Sequence, residues 1–383
     1  MSFFTDVSSE MIYPLLPLFL STTLGASASF IGVIEGAAES AASLLKLASG
    51  WWSDRMRRRK PLVVAGYALA SAVRPLIGLA QSASQVFALR VTDRVGKGIR
   101  TAPRDALIAE SVDPAIRGRA YGFQRSLDHA GAVVGPVVAF LLLRQMGVPL
   151  RTVFLLAGIP AAIALAVVVL AVRERRPEAP VAAAPAVSLR RRLDRNFWIY
   201  LGAVLLFTLG NSTDAFLLLR ATDLGVPVAW VPLLWAYLHV VKAATGTFGG
   251  SLSDRFGRKP LLVSGWTLFA AVYLAFAYAS EAWHVWALFG AYGLFFSLTE
   301  GSERALVADM VPAADRGSAF GWFHLAVGLG ALPASVLFGV LWDRFGPATA
   351  FVTGAALALA ATVVLLPVAI SPADQQQRAP GFE

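Results

Sequence analysis

Long apolar runs recur along the whole chain, and they dictate its solvent. Val133–Leu143, Phe154–Val172 and Ala350–Val368 pass without charge, and the last two approach the roughly 20 residues that a helix needs to cross about 30 Å of hydrocarbon. Soluble domains carry about 45–50% apolar and about 25% charged residues. This chain of 383 residues has 57% hydrophobic and 15% charged, which argues against an ordinary cytosolic enzyme. Read in order, the apolar segments predict twelve helices, over 3–23, 30–52, 61–80, 84–108, 119–143, 151–172, 197–219, 229–252, 260–279, 284–308, 317–341 and 348–370. The expected fold is all-α and membrane-integral, with twelve transmembrane helices.

The net charge of +9 would suggest a nucleic-acid partner in a soluble protein. Its distribution says otherwise. The segments following helices 2, 4, 6, 8 and 10 and the C-terminal tail, with Lys97, Arg100, Arg104 and Arg119 at the adjoining helix ends, hold 22 of the 33 cations, and the opposite connections with their helix ends hold only Arg144, Arg151, Arg220 and Arg344. Cytoplasmic loops of membrane proteins carry the excess of Lys and Arg. Both termini are therefore expected in the cytoplasm, the chain in a bacterial inner membrane, and its surface against the lipid bilayer, with no nucleic acid bound. The N-terminus has no basic n-region, and Asp6 and Glu10 interrupt its first apolar run, so the first helix is expected to be retained. The Pro/Ala-rich, arginine-flanked stretch 173–196 has no apolar stripe and reads as a cytoplasmic linker. It separates 1–172 from 197–370, and a cytoplasmic tail over 371–383 follows.

The two halves repeat one another. Gly50-Trp-Trp-Ser-Asp54-Arg55 and Gly250-Ser-Leu-Ser-Asp254-Arg255 stand 200 residues apart, and Lys60-Pro61-Leu62 matches Lys259-Pro260-Leu261 at 199. The same 199-residue offset aligns Arg117-Gly118 with Arg316-Gly317, and Glu10 faces Asp214 at 204. A register kept over this length implies two six-helix bundles related by duplication.

Three motifs on this frame resemble those of the major facilitator superfamily, and the resemblance covers essentially the whole chain. The helix 2–3 signature G-x-x-x-D-R-x-G-R-R/K is similar to Gly50…Asp54-Arg55-Met56-Arg57-Arg58, with Arg57 where glycine is usual, and to Gly250…Asp254-Arg255-Phe256-Gly257-Arg258-Lys259. The helix-4 motif R-x-x-Q-G resembles Arg94-Val-Gly-Lys97-Gly98, with lysine in place of glutamine. Gly122, Gly131, Gly135 and Pro136 meet the helix-5 antiporter pattern G-x8-G-x3-G-P, although Ala139 replaces its trailing glycine. The resemblance implies a monomeric transporter of two pseudo-symmetric bundles, close to the drug/proton antiporter branch. It also implies a cytoplasmic gate at Asp54, Arg55, Arg58, Asp254, Arg255 and Arg258. A plain stop-transfer cluster is the alternative for those cations, and tight helix packing alone is the alternative for the glycines.

Ionisable groups inside hydrocarbon are costly and mark pathways by default. The candidates for a central cavity and proton coupling are Asp6, Glu10, Glu35, Glu39, Arg90, Arg94, Arg125, Asp128, His129, Asp214, His239, Lys242 and Glu300. Glu35 and Glu39 share a face of helix 2, and Arg90, Arg94 and Lys97 form a stripe on helix 4. Glu10 and Asp214 lead the acids, because they occupy matching places in helices 1 and 7. A carboxyl group withdrawn from water can bind and release a proton near physiological pH, which is the chemistry of a coupling site. A structural ion pair with Arg90, Arg94 or Arg125 is the other reading. His239 and Lys242, one turn apart, suit an anionic substrate or structural pairing, and Pro103 is expected to end helix 4.

Other chemistry lacks its residues. The chain has no cysteine and four histidines without H-x3-H or H-E-x-x-H spacing, so no metal site is expected. The Lys97 segment has neither the spacing nor the preceding strand of a phosphate loop, and no G-x-S-x-G turn suggests a hydrolase. No cofactor and no enzymatic activity are expected, and a non-transporting receptor is a remote alternative. The expected function is proton-coupled transport of a small molecule by alternating access. Export is favoured on the helix-5 motif alone, and proton-driven uptake is the alternative.

Overall fold

The computed structural model describes residues 1–55, 59–113, 117–172, 193–312 and 316–369. Most of the 173–196 linker, the Met56–Arg58 loop and the 371–383 tail lie outside the described residues. With no water in hydrocarbon to bond N–H and C=O groups, the backbone satisfies itself through helices. Twelve follow in chain order. The first, α1, starts as Ser2–Ile12 and passes through a tight 3-10 turn at Tyr13–Leu15 and a wider π-helical turn at Phe19–Thr23. Pro14 and Pro17 each remove an N–H donor there. Next come α2 (Ala28–Arg55), α3 (Lys60–Leu76), α4 (Ala83–Ser111) and α5 (Arg117–Arg144). The first half ends with α6, Leu150–Leu156 continued by Gly158–Ala171.

The second half opens with α7, Arg195–Gly210 resumed as Ala215–Asp223. It continues through α8 (Val231–Phe256), α9 (Arg258–Tyr278), α10 (Ala282–Asp309), α11 (Arg316–Phe345) and α12 (Pro347–Leu365). Among the described residues, nine helices are long and apolar enough to cross a membrane. Of the three remaining spans, α1, α4 and α10, the first is interrupted at Pro14 and Pro17 and α4 carries the most charge, as expected of a helix whose polar face is covered by protein.

Two expectations are corrected. The predicted seventh helix over 197–219 is not continuous: it breaks between Gly210 and Ala215, where Thr213 Oγ1 accepts from the Ala215 N–H at 3.3 Å. The break falls at Asp214, whose carbonyl accepts from the Leu217 and Leu218 N–H groups at 3.1 and 3.2 Å. Pro103 does not end α4 but lies inside it, buried, with the helix running on to Ser111. Flanking intrahelical bonds carry the helix past the one donor that proline lacks.

Each half packs mainly on itself. In the first, α1 lies against α5 and α6, and α4 against α2 and α3; in the second, α7 lies against α11 and α12, and α10 against α8 and α9. The halves meet along α2 with α11 and α5 with α8. Small residues make these approaches close. A Cβ at Gly131 or Gly135 would fall 2.5 Å from the carbonyl oxygen of Phe3 or Val7 on α1, so two members of the helix-5 motif are the seat of that helix. Gly135→Ala is expected to cost about 1–3 kcal/mol as an overpacked contact. A thermal unfolding midpoint unchanged from wild type would refute this.

The α2–α11 contact runs inward from the far end, from Ala28 against Gly339 to Ser43 against Gly328. Ser40 Oγ donates to the Gly328 carbonyl at 2.6 Å, and a Cβ at Gly36 would lie 2.9 Å from Leu332 Cα. Asp343, near the end of α11, accepts from the N–H groups of Ala28 and Ser29 at 3.0 and 2.8 Å. Phe140 and Trp230 meet edge to face at 5.4 Å between α5 and the start of α8. The bundle is thus shut at the end opposite the arginine-rich loops. At the basic end a cavity of about 580 Å³ separates the halves.

Candidate functional site

The cavity is walled by the basic-end portions of α4, α5, α8 and α10. Arg104, Asp105, Arg125, Asp128 and His129 come from the first half, and Lys242, Phe296, Glu300 and Arg304 from the second. Arg104 pairs with Asp105 at 2.9 Å. Arg125 reaches across the cavity to Glu300, which Arg304 also approaches at 3.7 Å. Asp128 accepts from Gln124 at 2.8 Å, while its Oδ1 has no hydrogen-bond partner among the described residues. Lys242 makes no ion pair among the described residues, and its ammonium rests over the Phe296 ring at 3.5 Å from the centroid.

Beyond the cavity floor, toward the closed end, stand the two leading acids. Glu10 Oε2 accepts from Trp235 Nε1 at 2.8 Å, a bond between α1 and α8 and so between the two halves. Asp214, at the break in α7, accepts from the Tyr292 hydroxyl at 2.6 Å within the second half. Tyr13 lies beside this pair, its ring 5.1 Å from Trp235 and under Arg90 at 5.2 Å. His239, one turn from Trp235, buries both ring nitrogens without a hydrogen-bond partner among the described residues.

A third group is wholly buried inside the first half. Arg90 bonds Glu35 through two parallel contacts of 2.9 Å and approaches Asp93 at 3.6 Å. Asp93 is also held by Arg74 at 2.8 Å, and Arg74 donates to the Thr5 carbonyl at 2.9 Å. Side-chain exposures of 3–7% place this network out of reach of solvent. Glu35 and Arg90, expected at the cavity, are therefore spent on each other. The second half has no ionic equivalent. At the duplication offsets, Arg74, Arg90, Asp93 and Glu35 correspond to Tyr273, Phe289, Tyr292 and Trp235, and aromatic stacking such as Phe269 on Tyr273 at 4.0 Å fills that space. One half is held at these places by charge and the other by rings.

The other candidates fall between these groups. Glu39 on α2 lies within electrostatic reach of Lys97, Arg94, Lys46 and Arg90, and Arg94 leaves a buried Nε without a hydrogen-bond partner among the described residues. Asp6 packs where α1 crosses Gly131. At the basic end, Arg258 pairs with Asp309 at 3.3 Å and Arg255 stacks on Phe256 at 5.4 Å. The side chains of Asp54, Arg55 and Asp254, with Arg58 and the surroundings of Gly122, lie outside the described residues. No cluster of three His, Asp or Glu fit to hold a metal occurs among the described residues.

Sequence reasoning missed Tyr292 and Asp343. A tyrosine in an apolar run carries no signal until its partner is known. Asp343 did leave a trace: Asp343-Arg344-Phe345-Gly346 repeats Asp254-Arg255-Phe256-Gly257 letter for letter. Both close on a glycine in the left-handed region, at φ 85° and 94°.

Comparison with known proteins agrees with this architecture. The sequence pattern of the Major Facilitator Superfamily matches residues 1–241 and 222–382. An uncharacterized MFS-type transporter of Methanocaldococcus jannaschii is 33% identical over 374 residues, covering 95% of this chain and 92% of its own. Multidrug resistance protein MdtH of Yersinia enterocolitica is 29% identical over 143 residues, covering 37% of this chain and 34% of its own. In three dimensions the nucleoside transporter NupG superposes with a TM-score of 0.79 over 96% of this chain and 97% of its own, at 14% identity. The chain belongs to the major facilitator superfamily, as a multi-pass secondary transporter working by alternating access and not an enzyme.

Proposed function

We infer that this transporter exports a small molecule from the cytoplasm in exchange for protons, with Glu10 and Asp214 as the coupling acids. The observation that carries the reading is the Glu10–Trp235 hydrogen bond, because it ties a titratable group to the contact between the halves. An indole N–H bonds a carboxylate more strongly than a carboxylic acid. Proton release from Glu10 therefore strengthens the contact that holds the far end shut, and proton uptake weakens it. Asp214 sits at a helix break, where small backbone rotations reorient its carboxylate toward or away from Tyr292.

The positive-inside rule sets the basic end, and with it the open cavity and both termini, in the cytoplasm of a bacterial cell. A cavity facing inward is where an exporter loads its cargo. The helix-5 glycine motif and the partial similarity to MdtH support this direction. Reconstitution tests it. In vesicles with an imposed proton gradient, candidate solutes are expected to move against the proton flow. Glu10→Gln with Asp214→Asn is expected to abolish the gradient dependence while leaving downhill exchange. Flux indifferent to the gradient, or the double variant still concentrating solute, would remove proton coupling from the account.

A further inference from the structure

We propose that the inward cavity selects an organic anion with a flat aromatic body, and that Lys242 receives the anionic group beside Phe296. The inference rests on the transport reading for its purpose, and on the geometry of the cavity for its chemistry. Four cations, Arg104, Arg125, Arg304 and Lys242, meet three acids on the cavity wall. Two of those acids, Asp105 and Glu300, are already engaged by Arg104, Arg125 and Arg304. Lys242 alone of the four has no carboxylate partner among the described residues.

A lysine held only by a ring quadrupole keeps most of its capacity for an anion, since the cation–π contact leaves ammonium N–H groups free to donate. The cavity lining itself carries the aromatic rings of Phe296 and Tyr121. This wall offers a planar body a stacking face next to the positive charge. A volume of about 580 Å³ lies in the range of pockets that hold drug-sized molecules, roughly 300–1,000 Å³.

The test is equilibrium binding to the purified full-length protein in detergent, by titration calorimetry. The probes are 1-naphthoate, its cationic counterpart 1-naphthylmethylammonium, and acetate, which keeps the charge and lacks the ring. Naphthoate is expected to bind measurably at millimolar concentration or below, and the other two at least about tenfold more weakly. Lys242→Met is expected to weaken naphthoate by about tenfold or more, as loss of a charge-assisted bond would, and Lys242→Arg to retain it. Equal or tighter binding of the ammonium probe, no binding of naphthoate, or unchanged affinity in Lys242→Met overturns the proposal. If Lys242→Met fails to fold, the contrast between the wild-type probes still decides. No gradient is applied, so these outcomes are independent of whether flux is proton-driven.

Discussion

Arg90→Met is expected to be the most damaging single substitution in the first half, lowering stability by about 3–5 kcal/mol. Arg90 supplies both hydrogen bonds to Glu35. Its removal leaves a carboxylate with no partner in a place that water does not enter, where an uncompensated charge costs far more than the pair contributes. The expected readout is a large fall in the thermal unfolding midpoint in detergent, or failure to yield monodisperse protein. A companion variant separates charge from packing. Arg90→Met combined with Glu35→Leu removes both charges, and replacing a buried pair by apolar groups is often neutral. The duplicated half supports this, since it holds Phe289 and Trp235 at the equivalent places. Most of the lost stability should therefore return in the double variant. A single variant as stable as wild type would show that the pair does not hold α2 to α4.

Asp343→Ala is expected to open the far end. In the present conformation its carboxylate accepts from two N–H groups at the start of α2. These are donors that a helix N-terminus otherwise leaves to water, and the helix dipole adds attraction. A hydrogen bond to a charged group is worth about 1.5–3 kcal/mol, so losing this latch should shift the inward-to-outward population by between about tenfold and a hundredfold. The absence of cysteine makes the natural chain its own background for labelling. Ser335, 3% exposed between α11 and α2, can be replaced by cysteine and probed with an impermeant maleimide. Ser335→Cys alone should react slowly, and together with Asp343→Ala much faster. Identical rates would mean that the glycine contacts keep this end shut without Asp343.

The fold was legible because its causes are local. Twelve apolar segments of spanning length, their loop charges and the offset near 200 residues each depend on residues close in sequence, and hydrocarbon forces such segments into helices whatever surrounds them. The exceptions were also local events that composition hides. The break at Asp214 lies in an otherwise apolar segment, and Pro103 was absorbed by a helix that neighbouring helices hold in place.

The candidate site was legible as an inventory and not as an arrangement. Glu35 and Glu39 are four residues apart on one face of α2, equivalent on any sequence argument. Yet Glu35 is locked to Arg90, while Glu39 lies among Lys46, Arg94 and Lys97. Glu10 and Asp214 match across the duplication, yet one bonds across the halves and the other within its own. Hydropathy together with the duplicated register identified a twelve-helix membrane chain that must account for every charge it takes inside. Which charge meets which partner, which end of the bundle is shut, and that Asp343 helps shut it were decided only by helices far apart in sequence coming together. A hydrogen bond needs an approach within about 3 Å, and no periodicity in one helix specifies the place of another to that tolerance.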